Sequence, residues 1–402
     1  MTEAEFTRLL HNGHGRALLY ARNRDASKFF EVILDACLQC YSVDSQTEGT
    51  RGGYMLEVAD RLPARDAIFE AVLGSLSNSE DGVDAEQRFR LAARLADRGY
   101  PRAKARMYEA FNPGPRRGEC IAAEFVDMDG LKGFLFAARQ IGRLLQSPQA
   151  NLVDFGQLLF HGRETLGEET VTSALASGGV TDPALETYRL RAVEYDRWDL
   201  TYNQPAKPTA EALALLAAEL VSAGDAETQR RCLAAFRSRP FPGDPCRLLE
   251  LARSPDERVA RAATVALTLV EHPPARQFAI VLVDSGSPLR TFSVDLLSRN
   301  FQPEDYRVAL EWYAAEGDRY LLHWMGTGLD DLWKNHPDPA SEAEMLRLRY
   351  DLGPCCFCRH RIVKRLAEIG ALSADSQAEC AWDANDDIRE LVTSLSSGSS
   401  IA

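Results

Sequence analysis

Lysine is nearly missing from this chain, with six residues against forty arginines. No apolar run approaches the roughly 20 residues that cross a bilayer. The N-terminus, MTEAEFTRLLHNGHGRALLYARN, has no basic leader, continuous apolar stretch or small-residue cleavage site of the secretory kind. The resulting expectation is a cytoplasmic chain without a membrane partner. Also lacking are G-x-S-x-G, the phosphate-binding G-x-x-x-x-G-K and a G-x-G-x-x-G that follows a strand. With none of these, catalysis starts from a low expectation and no cofactor is expected. Short alternating runs of β-branched and aromatic residues are scarce too, which excludes a fold dominated by half-buried strands.

What is present is enough to build a large interior. The chain has 402 residues, 45% of them hydrophobic and 26% charged, which fits two domains or one elongated array. Nine cysteines, an odd number spread along the chain, do not make a small disulfide framework and are expected to be reduced, buried thiols. The formal charge of −13 argues against indiscriminate binding to nucleic acid or anionic membrane. One segment runs the other way: from Arg88 to Arg117, nine basic residues face two acidic ones.

Apolar residues recur at three- and four-residue spacing almost throughout, as in QRFRLAARLADRG, EALALLAAELVSAGD and RVARAATVALTLV, and predict a nearly all-helical chain. Stops follow at Gly99-Tyr100-Pro101, Gly224-Asp225 and Gly370. Helices of roughly 10 to 16 residues with short connections favour stacked hairpins. Val259 and Leu289, each placed after a turn containing Asp or Pro, lie 30 residues apart, and so do Cys358 and Ile388. Each of the four precedes an arginine or lies two residues before one: Arg261, Arg290, Arg359 and Arg389.

This pattern of an acidic or proline turn, an apolar residue with a nearby arginine and an apolar helix resembles the second helix of HEAT repeats over residues 243 to 395. It is fainter in DRGYPRAKARMYEAF and DMDGLKGFLFAARQIGRLL. The family's usual repeat is about 40 to 47 residues, so the resemblance implies a short form. It implies an all-α α-solenoid, and pairing of those arginines with turn aspartates such as Asp256, Asp284 and Asp386. Residues 300 to 345, with Trp312, Trp324 and Trp333, depart from the pattern. The expected organisation is a helical block over 1–145, connecting helices and a linker over 146–208, a repeat block over 209–395 and a disordered tail over 396–402.

The stretch GPCCFCRHRIVKRLAEIG, residues 353 to 370, has the residue types of a zinc site in Cys355, Cys358, His360 and the later Cys380. On a continuous helix Cys355, Cys358, Ile362 and Leu366 share one face and His360 points about 160° away, so the cysteines are expected to belong to a buried stripe and to hold no metal. Cys37-x-x-Cys40 receives the same reading. HNGHGR, with His11 and His14, reads as a flexible turn. DMDG, Asp127 to Gly130, puts Phe125 and Phe136 where a calcium loop needs acidic ligands, and reads as an acidic turn at a helix start.

Arg90, Arg94 and Arg98 follow i, i+4 spacing and, with Arg102 and Arg106, form a candidate face for an anionic partner, because the guanidinium fork matches phosphate and carboxylate. Some HEAT-like folds are DNA glycosylases, and YDRWDLTY, with Trp198, Asp199 and Tyr202, is the nearest constellation to such a site. The expected function is nevertheless protein binding by the surface of a helical-repeat scaffold, with Asp256, Asp284, Asp386 and Asp387 available to basic partners. The nucleic-acid or anionic-ligand module is the alternative.

Overall fold

A computed structural model describes residues 1–43, 51–76, 82–111, 121–145, 152–177 and 209–396. Among the described residues there are 23 α-helices, two short 3-10 turns and no strand. In chain order the helices are α1 (Glu3–His11), α2 (Gly15–Asn23), α3 (Phe30–Leu38), α4 (Gly52–Ala59), α5 (Arg65–Ser75), α6 (Val83–Asp97), α7 (Ala103–Ala110), α8 (Ile121–Asp129), α9 (Leu131–Leu145), α10 (Leu152–Leu166) and α11 (Glu168–Ser177). There follow α12 (Ala210–Ser222), α13 (Ala226–Ala234), α14 (Pro245–Leu251), α15 (Glu257–Leu267), α16 (Pro273–Asp284), α17 (Ser293–Arg299), α18 (Asp305–Ala315), α19 (Arg319–Asn335), α20 (Pro339–Leu352), α21 (Cys356–Glu368), α22 (Ala374–Cys380) and α23 (Asp386–Ser396). None of the described helices is long and apolar enough to cross a membrane.

The chemistry of the helix ends explains their short lengths. Thr2, Thr209, Asp225, Asp244, Asp256, Asp318 and Asp338 each accept a backbone N–H of the first turn they precede, satisfying donors that have no partner inside the helix. At the other end, Gly99 and Gly370 adopt φ of 75° and 66°, which a side chain resists. After Gly370, Ala371 donates to the Leu366 carbonyl at 2.8 Å while Gly370 donates to Ala367 at 3.1 Å, the paired closure that ends a helix in a left-handed residue.

The chain divides into two units, Met1–Tyr202 together with Ser373–Ala402, and Asn203–Leu372. The expected block over 209–395 is therefore cut at 372. The cause lies in α2 and α22: a Cβ on Gly15 would sit 1.8 Å from the Glu379 carbonyl oxygen, so the two backbones meet at a distance only glycine permits. Arg16 grips Glu379 with Nε and Nη2 at 2.6 and 3.0 Å. Ala384 donates its N–H to the Gly13 carbonyl at 2.9 Å, Arg389 reaches Glu57 at 3.0 Å, and Arg22 lies 4.3 Å over the Trp382 ring. Cys380 and Asp383 are fully buried in this unit.

Elsewhere in the first unit the helices pack in sequence order, α4 on α6, α6 on α8 and α8 on both α9 and α10. Gly133 lets α9 approach the Phe125 carbonyl, where a Cβ would lie 1.7 Å away. Phe125, Phe136, Phe111 and Tyr108 fill the adjoining interior with ring centroids 4.5 to 5.8 Å apart, Tyr108 edge-on to Phe125 and the other pairs tilted.

In the second unit each helix packs on the next or the next but one: α13 on α15, α17 on α19, α18 on α20 and α20 on α21. Residues 300 to 345 form α18, α19, the latter 17 residues long, and the start of α20, and they join this succession. Arginines tie neighbouring hairpins: Arg276 to Asp305 at 2.7 Å, Arg290 to Glu316 at 2.8 Å and Arg365 to Glu342 at 2.6 Å, the carboxylates being almost wholly buried. Arg349, itself buried, pairs with Asp330.

Most of the expected partners of the repeated arginines are replaced, Asp386 alone staying within reach of Arg389. Asp256 caps its own helix, accepting from Arg258 and Val259 at 3.0 Å. Arg261 stacks over Phe292 with 5.5 Å to the ring centroid, Arg290 meets Glu316, and the buried Arg359 donates to the Gly353 carbonyl at 3.4 Å. Arg389 meets Glu57, with Asp386 of its own helix 3.9 Å away.

Candidate functional site: a cysteine and histidine cluster

The chain breaks at Gly353-Pro354, and Cys355 takes an extended conformation (φ −95°, ψ 119°) as the N-cap of α21. It is not part of a helical stripe. Its Sγ turns back and accepts the backbone N–H of Cys358 at 3.3 Å, in the place that Ser, Thr or Asp fills at other helix starts. Cys356 begins the helix and is buried. Cys358 lies one turn in and is half-buried.

His323, in the second turn of α19, places Nδ1 4.0 Å from the Cys358 sulfur. The donor atoms of His323, Cys355 and Cys358 all lie within 4.8 Å of one another. Arg361 brings Nη2 to 3.4 Å from the same sulfur. The Cys355 thiol first, then His323 and Arg361, pull the Cys358 thiol well below its ordinary value against the opposing effect of burial, which favours the thiolate form. Tyr313, fully buried, has its phenol pushed above the ordinary range by desolvation, with the neighbouring thiols adding to the rise.

The rim is aromatic and open. Tyr320, Trp324 and Phe357 are 47%, 45% and 41% exposed. Trp324 meets Tyr320 and His323 edge-on, with centroids 6.0 and 5.5 Å apart, and Arg361 lies 5.7 Å over Phe357. The arrangement combines a nucleophilic, metal-competent sulfur pair with an imidazole and a surface suited to apolar contact.

Cys355 and Cys358 are thus brought together with a residue that sequence reasoning missed, His323, 35 positions before Cys358. Cys380 belongs to the other unit, and His360 is not in the cluster. Cys37 is buried in α3, its thiol pushed up to about 12 by desolvation. Cys40 lies beyond the end of α3 and does not share a helical face with it; its N–H donates to Asp84 at 2.7 Å. The HNGHGR turn is built in: His14 is buried and caps α2, accepting from Arg16 N–H at 3.2 Å, while His11 stacks on Tyr41 at 3.5 Å. DMDG ends α8 where a helix start was expected, with Asp127 2.7 Å from His161 and Asp129 accepting from Tyr108 at 2.7 Å.

The arginine stripe meets carboxylates at every named position. Arg90 lies 2.9 Å from Glu86 and 3.6 Å from Glu124, Arg94 3.9 Å from Asp97, Arg102 3.8 Å from Glu70 and Arg106 2.8 Å from Glu109, while Arg98 pairs with Asp60. A groove of about 590 Å³ beside Arg98, lined by Asp60, Arg61, Arg65 and Tyr100 among others, mixes both signs of charge. Arg116 and Arg117, and the Trp198, Asp199 and Tyr202 constellation, lie outside the described residues, as do 146–151, 178–208 and 397–402.

No protein-family model matches the chain, and no curated protein matches it. Among solved structures, the crystal structure of an engineered protein is similar at 14% identity over 98% of both chains, with a TM-score of 0.17.

Proposed function

We propose that this is a non-catalytic binding protein made of short HEAT-like hairpins, whose second unit docks another protein. The observation that carries this reading is the exposed rim of Tyr320, Trp324 and Phe357. Tryptophan and tyrosine are the side chains that protein interfaces concentrate, and here they stand on helices anchored from behind by ion-paired arginines. Supporting the repeat reading, Arg276–Asp305 and Arg290–Glu316 span 29 and 26 residues, near the 30-residue spacing of the sequence pattern. A nucleic-acid reading through Arg90, Arg94, Arg98, Arg102 and Arg106 is disfavoured because their charges are already matched by Glu86, Glu124, Asp97, Asp60, Glu70 and Glu109.

The test is capture from nuclease-treated native extract by the full chain and by a Tyr320→Ala/Trp324→Ala variant. A protein retained by the parent and lost by the variant supports the reading. Equal capture by both, or recovery of only nuclease-sensitive material, refutes it. Tight, steeply salt-dependent DNA binding that an Arg90/Arg94/Arg98→Glu variant abolishes would establish the basic-face alternative instead.

A further inference from the structure

The cysteines and histidine at the start of α21 have the donor chemistry and the spacing of a metal centre. From ordinary zinc–sulfur and zinc–nitrogen bond lengths, a tetrahedral ion sets its sulfur and nitrogen ligands about 3.5 Å apart and two sulfurs about 3.8 Å apart. Cys358 Sγ and His323 Nδ1 stand 4.0 Å apart, a weak contact for a hydrogen bond but close to that tetrahedral edge. All three donor atoms fall within 4.8 Å of one another, so small side-chain rotations bring them onto one ion.

The local backbone is also arranged for it. Cys355 is held outside the helix, and its sulfur receives a backbone N–H at 3.3 Å, a bond that favours the charged thiolate needed for coordination. Cys358 follows three residues later, so the pair arrives from one turn of chain while the imidazole arrives from α19. Two thiolates and a neutral imidazole around a divalent ion sum to no net charge, which suits a site where Cys355 is 3% exposed. Sulfur and imidazole together select a borderline-soft ion such as zinc over calcium or magnesium.

From this arrangement we propose that His323, Cys355 and Cys358 bind one zinc ion, leaving its fourth coordination position to a ligand from outside the chain. Closed structural zinc sites use four protein ligands, whereas sites with three keep a position for water or an incoming donor. The fourth position takes water or a small anion in the isolated chain. The inference does not depend on the docking of a protein partner.

The experiment uses the full chain, purified reduced and without chelator, with metal content measured by mass spectrometry of the elements. One equivalent of zinc is expected, unchanged in Cys246→Ser and Cys380→Ser and lost in Cys358→Ser and His323→Ala. Zinc retained in both ligand variants, or no stoichiometric zinc in the parent after incubation with excess zinc, overturns the proposal.

Folding of the variants does not limit the test, because the parent carries its own signature. Cobalt in place of zinc should give sulfur-to-metal charge transfer with the intensity of two thiolates and the strong visible bands of a tetrahedral ion. Those bands should shift when azide is added. Absent charge transfer, or the intensity of four thiolates, refutes the ligand set; bands unmoved by azide refute the open position. Zinc should also protect Cys355 and Cys358 from iodoacetamide while the exposed Cys246 is still alkylated. Equal alkylation of all three with zinc present, or isolation of a Cys355–Cys358 disulfide that binds no metal after reduction, would make the pair a free or redox dithiol and defeat the proposal.

Discussion

Replacing Gly15 by alanine should destabilise the first unit although alanine is the better helix former. On propensity alone the change would gain up to about 1 kcal/mol. The new Cβ, however, would lie 1.8 Å from the Glu379 carbonyl oxygen, 2.8 Å from its carbon and 2.9 Å from the Asp383 nitrogen. These are backbone atoms and cannot rotate aside, so α22 must withdraw by more than 1 Å to restore van der Waals contact. Withdrawal strains the 2.6 Å Arg16–Glu379 bond and the 2.9 Å Ala384–Gly13 bond. Overpacking of this kind costs about 1–3 kcal/mol, and the loosened charge-assisted bond adds roughly 1 kcal/mol. The net expectation is a loss of about 2 kcal/mol. Gly74→Ala is the matched control: nothing lies within 4 Å of its Cβ position, so it should be neutral or gain up to about 1 kcal/mol. Urea unfolding supplies the energies, and hydrogen exchange across residues 374–396 should lose protection only in Gly15→Ala. A Gly15→Ala chain as stable as the parent, with α22 and α23 still protected, would refute the docking of the C-terminal helices described above.

Asp330→Asn should destabilise the second unit, because it leaves the Arg349 guanidinium, 3% exposed, without its carboxylate. Removing one partner of a buried pair costs about 3–5 kcal/mol, and the 42% exposure of Asp330 places this case at or below the lower end, as urea unfolding would measure. Asp295 is pushed up to about 7 by burial, with Asp331 adding to it. Its folded form therefore holds a proton that the unfolded chain releases near 3.8, and the associated stability is present below about 4 and lost as pH rises through about 7. Asp295→Asn should flatten that part of the pH–stability profile and be more stable than the parent at pH 8; an unchanged slope would refute the assignment.

Features encoded within one turn of chain were legible. Gly99 and Gly370 ended helices because a left-handed closure needs only its own six residues; Asp225 and Asp256, read as a stop and as an arginine partner, prove to be N-caps. Features that depend on distant partners were not. The stripe from Arg90 to Arg106 looked basic because its own segment holds few acids, yet Asp60, Glu70 and Glu124 arrive from other helices to neutralise it. Nothing near Gly15 announces that Glu379, more than 360 positions away, will lie against it, so the boundary at 372 could not be drawn from composition. The repeated arginines do meet partners inside the fold, but mostly not the turn aspartates: Asp256 is consumed as an N-cap and Asp284 ends its own helix, while Arg290 finds Glu316 and Arg389 finds Glu57 beside Asp386.

The cysteine cluster turned on a single position. Extending α21 back to Cys355 made its sulfur the first member of an apolar stripe, and that geometry excluded a site. Gly353-Pro354 immediately before it stops the preceding helix, since proline disfavours helical backbone in the residue it follows, and the chain enters the next helix only at Cys356, with Cys355 as its N-cap. Once Cys355 is the N-cap, its buried sulfur turns back onto the first turn, where it accepts the Cys358 N–H and lies beside the Cys358 sulfur. The third donor then has to come from another element. Asp318 starts α19 four residues before Leu322, which puts the buried Leu322 toward the interior and the half-buried His323 toward the edge where α21 begins. A metal-binding spacing in this fold is thus written across two helix starts, one capped by aspartate and one by cysteine, and not along either helix alone.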